Sequence, residues 1–417
     1  MSLVNQNIQL WGNDIPWLEA LREKGKIAFE RMGFPNNKSE AWKYSFIKPE
    51  IFSNFIINNG SSDENENECC CSACQNSLPF EVLDVKFCNG KISCQHFDTS
   101  AGIIIKSLLE AIFDNDIKKY LGKSFDFEKY PFAALNTMYL EQGIFVLVER
   151  NYIINKPLYI KYHYHDCQNL FSNIRNVFIL ETNSQLKIIE DYVGDKTSTY
   201  CNNIVNEFYI GKDAKLQHYK IQNENHNSYH IAMNSMVLKD NAIYKVLCIQ
   251  KDCIFSRNES LVRLQNKGGE AEINAVYRIG KNSVIDNTTN IMHLAPHTYS
   301  NQFVKGVVNE NGKGIFQGQI HIAKDAQQTE GNQLHKALLL SDEAEIDCKP
   351  ELEIFADDVK CSHGATSGNI DEEQLFYLQS RGICRDEAKK ILIDAFLKEI
   401  FEYISELSIK EWLKNKF

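Results

Sequence analysis

The sequence predicts a mainly β protein, with a parallel β-helix core set between a helical amino-terminal region and a helical carboxy-terminal domain. Three observations lead there. Between about Gly143 and Asp358, short runs rich in Val, Ile, Tyr and Phe (IFVLVE, PLYIKYHY, NVFILE, IYKVLCIQ) alternate with polar turns. Of the turn signals Thr182-Asn183-Ser184, Gly211-Lys212-Asp213, Lys239-Asp240-Asn241, Lys267-Gly268-Gly269 and Gly280-Lys281-Asn282, several are separated by about 27 to 30 residues, a repeat spacing. Helical periodicity is confined to the two ends of the chain. A turn followed by an alternating strand, repeated without helical crossovers, favours coils stacked one on the next. A β-sandwich is the competing arrangement on the same pattern.

The expected units are a helical and mixed region over 1–125, the β-helix over 126–358 and a helical domain over 359–417. In the first, Trp17, Leu18, Leu21, Ile27, Ala28 and Met32 recur at near-helical spacing, and Gly33 with Pro35 ends the run. A short helix is expected around Ile103 to Phe113. Residues 59–77 (NGSSDENENECCCSACQNS) hold almost no large apolar groups, so a mobile loop is expected there. In the last unit Asp371 is an N-cap with Gln374 three residues on, and Gly382 is placed to stop the helix. A second helix starts near Arg385-Asp386 and carries the stripe Ala388, Ile391, Leu392, Ala395, Phe396 and Ile400. Part of that stripe is expected to cap the end of the solenoid and part to remain for a partner.

The chain has 417 residues, 43% of them hydrophobic, and a formal charge of −10; its mean hydropathy is −0.35. No run approaches the ~18 apolar residues of a membrane helix. The first residues have neither a basic region before an apolar block nor an Arg/Ser bias, so a cytoplasmic location is expected. With no basic stripe, nucleic acid is an unsuited partner. Thirteen cysteines at irregular spacings fit reduced thiols better than a disulfide framework.

The chemistry in the sequence is sparse. Gly306 followed by Gly312-Lys313-Gly314 misses the phosphate-binding spacing and lacks its Ser or Thr, so no nucleotide is expected on this chain. Cys71-x-x-Cys74 within Cys69-Cys70-Cys71-Ser72-Ala73-Cys74 has metal-ligand spacing, but three consecutive cysteines cannot all face one tetrahedral ion without strain. The pairs His163/His165, His226/His230 and His293/His297 read as solvated or locally hydrogen-bonded residues. Cys361 and His363 differ from these. If the alternation of Glu351 to Phe355 continues past Val359, both project to one side, roughly 6.5–7 Å apart along the backbone. With Gly364 leaving the backbone open, they read either as a partial iron site or as a buried structural Cys beside a hydrogen-bonded His. An iron–sulfur centre takes about four protein ligands, so the remainder would come from another chain.

Lys38-Ser39-Glu40-Ala41-Trp42-Lys43-Tyr44, Pro131-Phe132-Ala133-Ala134-Leu135-Asn136, Phe316-Gln317-Gly318, Leu338-Leu339-Leu340-Ser341 and Lys349-Pro350-Glu351-Leu352-Glu353-Ile354 follow one another as in a known family. So do Asp357 to Gly368 and Phe376 to Gly382. The chain resembles the SufB/SufD family of iron–sulfur cluster assembly scaffolds, densely only from about 300 to 400. Cys361-Ser362-His363-Gly364-Ala365-Thr366 looks like the SufD branch. The SufB branch has a functional cysteine near the position where this chain has His335.

The resemblance implies a right-handed parallel β-helix and a non-catalytic scaffold. It implies two partners: a SufB-like subunit joined through the β-helices, and a SufC-like ATPase on the carboxy-terminal helices. Self-association to a homodimer in isolation is also open. It makes His363 the candidate ligand for iron or a transient iron–sulfur cluster at the SufB-side interface, with Cys361 beside it. Phe376, Tyr377 and Arg381 are the expected ATPase contacts, and a flavin in the assembled complex is a further expectation. Three other readings stay open here. One is a SufB-like homodimer that holds the cluster itself, another is a β-helix enzyme acting on polysaccharide, and the third is a purely structural subunit whose His363 only hydrogen-bonds.

Overall fold

The computed structural model describes residues 3, 6, 8–36, 38–57, 78–93, 101–114, 116–251 and 253–417; the stretch 59–77, with Cys69 to Cys74, lies outside them. Helix α1 (Pro16–Met32) runs where the apolar spacing put it, and Gly33 ends it at φ 65°. Short strands β1 (Ile56–Ile57), β2 (Leu83–Cys88), β3 (Lys91–Ile92) and β4 (Ile103–Ser107) follow, then α2 (Leu108–Ala111) and α3 (Pro131–Met138). The helix expected from Ile103 is thus a strand for its first half. Ile103 to Ser107 pair antiparallel with β5 (Ile144–Val148), and only the capping box of Ser107 with Glu110 opens a helical turn.

From β5 onward the chain lays strands alternately in two sheets, eight in each, and so winds through about seven turns of a solenoid. The first sheet takes β5, β7 (Leu170–Leu180), β9 (Tyr200–Ile210), β11 (Ser228–Leu238), β13 (Phe255–Leu264), β15 (Val284–His293), β17 (Lys313–Ile322) and β19 (Glu345–Ile354). The second takes β6 (Leu158–Tyr164), β8 (Gln185–Gly194), β10 (Lys215–Asn223), β12 (Ile243–Gln250), β14 (Glu270–Ile279), β16 (Tyr299–Val308), β18 (Thr329–Leu339) and β20 (Val359–Gly368). All neighbours along these ladders are parallel, which excludes the antiparallel sandwich. Leu170 lies beside Tyr200, and Tyr200 beside Ser228, so successive coils are offset by 30 and then 28 residues. The ladder continues through β20, past the expected boundary at 358.

The turns explain that regularity. Asn183, Asp213, Asn241 and Asn282 all adopt positive φ, between 51° and 59°, a conformation that Asn and Asp tolerate better than other non-glycine residues. Asn241 also donates to the Asp213 carboxylate at 2.9 Å, tying one turn to the next.

Between the sheets, alternate side chains build the core. Val146, Ile160, Tyr162, Ile174, Phe178, Ile204 and Phe208 are all buried there. Rings stack from coil to coil, Phe87 on Tyr162 at 4.9 Å and Tyr162 on Tyr192 at 4.4 Å. The outer faces are buried too. The amino-terminal region packs Trp42, Phe52, Phe55 and Phe132 against Phe171, Cys201, Ile231 and Phe255 of the first sheet.

Helices α4 (Glu372–Ser380), α5 (Arg385–Lys398) and α6 (Leu407–Lys416) close the chain. Asp371 caps α4 by accepting from the backbone N–H groups of Glu373 and Gln374, as expected. Their position corrects one expectation: the apolar stripe does not cap the end of the solenoid. Ile393, Leu397, Ile400, Phe401, Ile409 and Leu413 instead lie on the outer face of the second sheet, against Tyr219, Ile221, Leu247, Ile249 and Val276. Both faces of that sheet are apolar, so the helices bury more surface alongside the coils than over their end.

The candidate cluster-assembly site

β19 and β20 are the last strands of their sheets, and each pairs on one side only. Most of their side chains are partly or fully exposed. Ile354 and Phe355 stand 39% and 57% exposed beside this edge. The solenoid therefore ends in an open coil.

Cys361 and His363 sit on that coil, on the strand that joins the ladder rather than in the helical unit. Cys361 pairs with Gly331 and His363 with Gln333. Gly331, Gln333 and His335 form the buried, inward row of β18, so Cys361 and His363 share the row that faces into the solenoid. The intervening Ser362 faces outward and donates to Asn332 Oδ1 at 2.6 Å. Same-side projection is thus as expected. Gly364, by contrast, lies on the outward row, where a Cβ would meet only Leu334 at 3.4 Å; it does not open the backbone toward the pair. Cys361 packs beside Ile320, Ile322 and Leu352, and burial raises its thiol pKa. His363 is exposed. Among the described residues no group of three or more His, Cys, Asp and Glu side chains could hold a metal ion.

Two features near this coil escaped the sequence reading. His335 is fully buried, with Nδ1 3.1 Å from Cys348 Sγ and Nε2 2.9 Å from the Tyr277 hydroxyl. Burial pushes the Cys348 thiol up to about 11 and His335 down to about 4, so both are neutral near pH 7. Deeper in the solenoid, His218 Nε2 lies 2.8 Å from Glu190 and Nδ1 3.0 Å from the Tyr244 hydroxyl. Burial alone would raise the Glu190 pKa, but the hydrogen bond and charge of His218, with Lys220 nearby, bring it down to about 2. A cavity of about 30 Å³ adjoins Lys220 and Cys248, room for a water molecule but not a cofactor. Nothing in the spacing of these residues announces their meeting, because the coils bring together positions tens of residues apart.

The histidine pairs divide. His226 and His297 are exposed, in line with solvated residues, and His293 is locally hydrogen-bonded, between the hydroxyls of Thr298 and Ser300 at 2.8 Å each; His163, His230 and His293 are nevertheless buried. His163 and His165 stack at 5.1 Å, and His165 Nε2 lies 3.0 Å from Cys88 Sγ.

On α4, Phe376 and Tyr377 are 72% and 57% exposed, while Leu375 alone in that helix is buried. The Arg381 guanidinium covers the Tyr377 ring at 5.2 Å and donates to its hydroxyl at 3.1 Å. Tyr377 and Arg381 thus share one exposed patch across one turn of helix, with Phe376 exposed at the neighbouring position.

With this geometry in hand, comparison with known proteins decides the family. Residues 2–160 match the SufBD protein N-terminal region, and residues 163–396 match the SUF system FeS cluster assembly, SufBD core domain. The chain belongs to the SufBD family. It is 28% identical to the iron–sulfur cluster assembly protein SufD of Escherichia coli, over 91% of this chain and 88% of that protein. An iron–sulfur cluster assembly SufBD family protein of Synechocystis is 31% identical over 72% of this chain and 68% of its own length. One from Staphylococcus aureus is 27% identical over 74% and 68%. The SufBD core match spans every coil from β7 to β20, including the row that bears Cys361 and His363. No helix among the described residues is long and apolar enough to cross a membrane.

Proposed function

We infer that this SufBD-family chain is a non-catalytic scaffold subunit that offers His363, with Cys361 beside it, to iron or a nascent iron–sulfur cluster across an interface with a SufB-like chain. The observation that carries this reading is the open last coil. Its two edge strands have unpaired backbone groups, and its inward row carries a soft thiol and an exposed imidazole. Two ligands are about half of what a cluster needs, so the rest come from the surface that covers the edge. Pairing strand on strand would place the partner's residues against this row. The exposed aromatic patch of Phe376, Tyr377 and Arg381 supports a separate docking surface for a SufC-like ATPase, with ATP hydrolysis on that partner driving assembly. The α5–α6 segment rests on the outer face of the second sheet, the sheet that ends in β20, so a pull on α4 would act on that sheet.

The test is co-expression with SufB-like and SufC-like partners, followed by anaerobic reconstitution with iron and sulfide. His363→Ala is expected to leave the complex intact while cluster yield falls at least about tenfold. A native yield from that variant would remove His363 from the ligand set. Failure to form any three-protein complex with the unaltered chain would remove the scaffold reading.

A further inference from the structure

The buried dyad inside the last coils has the makings of a second site. His335 is 0% exposed and stacks flat on Phe316, with ring centroids 5.4 Å apart and planes 9° apart. Tyr277 holds its Nε2, and space for that phenol comes from two glycines. A Cβ at Gly306 would lie 2.0 Å from the Tyr277 ring, and one at Gly314 would lie 2.8 Å from its hydroxyl. The imidazole is therefore fixed in position and direction, with Nδ1 aimed at Cys348. Cys348 stands one coil beyond Phe316, on the edge strand β19.

This is the arrangement of a ligand pair with its outer support. A histidine that binds a metal through one nitrogen has the other nitrogen held by a hydrogen-bonding partner, here Tyr277. A thiolate and an imidazole bound to one tetrahedral ion lie about 3.6 Å apart, given metal–sulfur and metal–nitrogen lengths of about 2.3 and 2.05 Å. The observed 3.1 Å is about half an ångström short of that, a change within one side-chain adjustment. An independent feature points into the same interior. Gln333, 2% exposed and on the same inward row, donates through Nε2 to Glu351 of β19, while its Oε1 has no hydrogen-bond partner.

We propose that Cys348 and His335 are two ligands of a second cation site, inside the final coils, for a thiophilic divalent ion. The ion displaces the Cys348 thiol proton to solvent, forms a metal–thiolate bond and takes the Nδ1 lone pair of His335, while Nε2–H stays on Tyr277. Water completes the coordination, with the Gln333 amide oxygen available to one of those waters. Two protein ligands make the ion exchangeable. The site is distinct from the Cys361/His363 row, because Ala365 is the β20 residue paired with His335. It needs no partner chain, so it stands or falls independently of the assembly reading.

The experiment uses the reduced full-length chain, under anaerobic conditions, with Cys69, Cys70, Cys71, Cys74, Cys88, Cys94 and Cys384 changed to Ser to remove competing thiols. Cd²⁺ is titrated in and the thiolate-to-cadmium charge-transfer absorption is followed. A band saturating near one equivalent is expected, retained in Cys361→Ser and His363→Ala, and lost in the near-isosteric Cys348→Ser. His335→Ala is expected to weaken binding at least about tenfold, with circular dichroism confirming the fold. A band that survives Cys348→Ser, or that disappears with Cys361→Ser, overturns the proposal.

Discussion

At the scale of single residues, the interior of this solenoid is unusual in how many polar and ionisable groups it holds. Several are matched: Glu190 by His218, Arg175 by Glu207 at 2.8 Å, and His293 by two hydroxyls. Burial, with His321 adding to it, lowers His293 to about 3, so it is neutral in the fold down to acid pH. The unfolded chain takes up that proton below about 6.5, and between there and about 3 the unfolded state binds more protons. Stability is therefore full above about pH 6.5 and falls as pH drops. One such proton gives a slope of up to about 1.4 kcal/mol per pH unit. His293→Gln should flatten urea-unfolding stability against pH over this window by about that slope; an unchanged slope would mean His293 is protonated in the fold. The sequence did not reveal this class of residue. Strands buried on both faces lose the polar–apolar alternation that tells inside from outside, so nothing in the pattern marked His230 and His293 as interior residues.

Among the elements, the helices are placed by close contacts rather than by propensity. Gly25 sits where α1 crosses α3: a Cβ there would lie 2.7 Å from the Met138 backbone N and 2.9 Å from the Ala134 carbonyl oxygen. Alanine would gain up to about 1 kcal/mol of helix propensity. Both neighbours are backbone, however, and cannot swing aside, so the crossing must open. Gly25→Ala is expected to lower stability by about 1–3 kcal/mol, measured by chemical denaturation; a stabilised variant would show that the two helices are not so closely locked. The existence of α1, α4 and α5 was legible from spacing and caps. Where α5 and α6 dock was not, because it depends on Tyr219, Ile221, Leu247 and Ile249 forming one outward apolar row across separate coils. Local sequence pattern carries no such row. The Cys348–His335 pair was hidden for a related reason: its members lie on successive strands that belong to different sheets.

For the molecule as a whole, stacking makes stability a sum of coil-to-coil interfaces. Coils in the middle have a neighbour on both sides, and the last has one. Amide hydrogen exchange should therefore be fastest in β19 and β20 and slowest around β9 and β11, where both sheet faces are buried. Equal protection at the two places would mean that the solenoid opens only as one unit. The repeat itself was the most legible feature of the chain, because each coil must turn and the turn chemistry is local: Asn183, Asp213, Asn241 and Asn282 mark it residue by residue.

The unpaired last coil also bears on how much of this chain a cell can safely hold. A parallel strand edge accepts any strand presented to it, including one from another copy. The polar and charged side chains of β20 and the preceding Asp357 and Asp358 discourage that encounter without abolishing it. Surplus molecules thus have a standing route to one another. Overproduction should therefore show first as loss of dispersed material rather than as loss of folding.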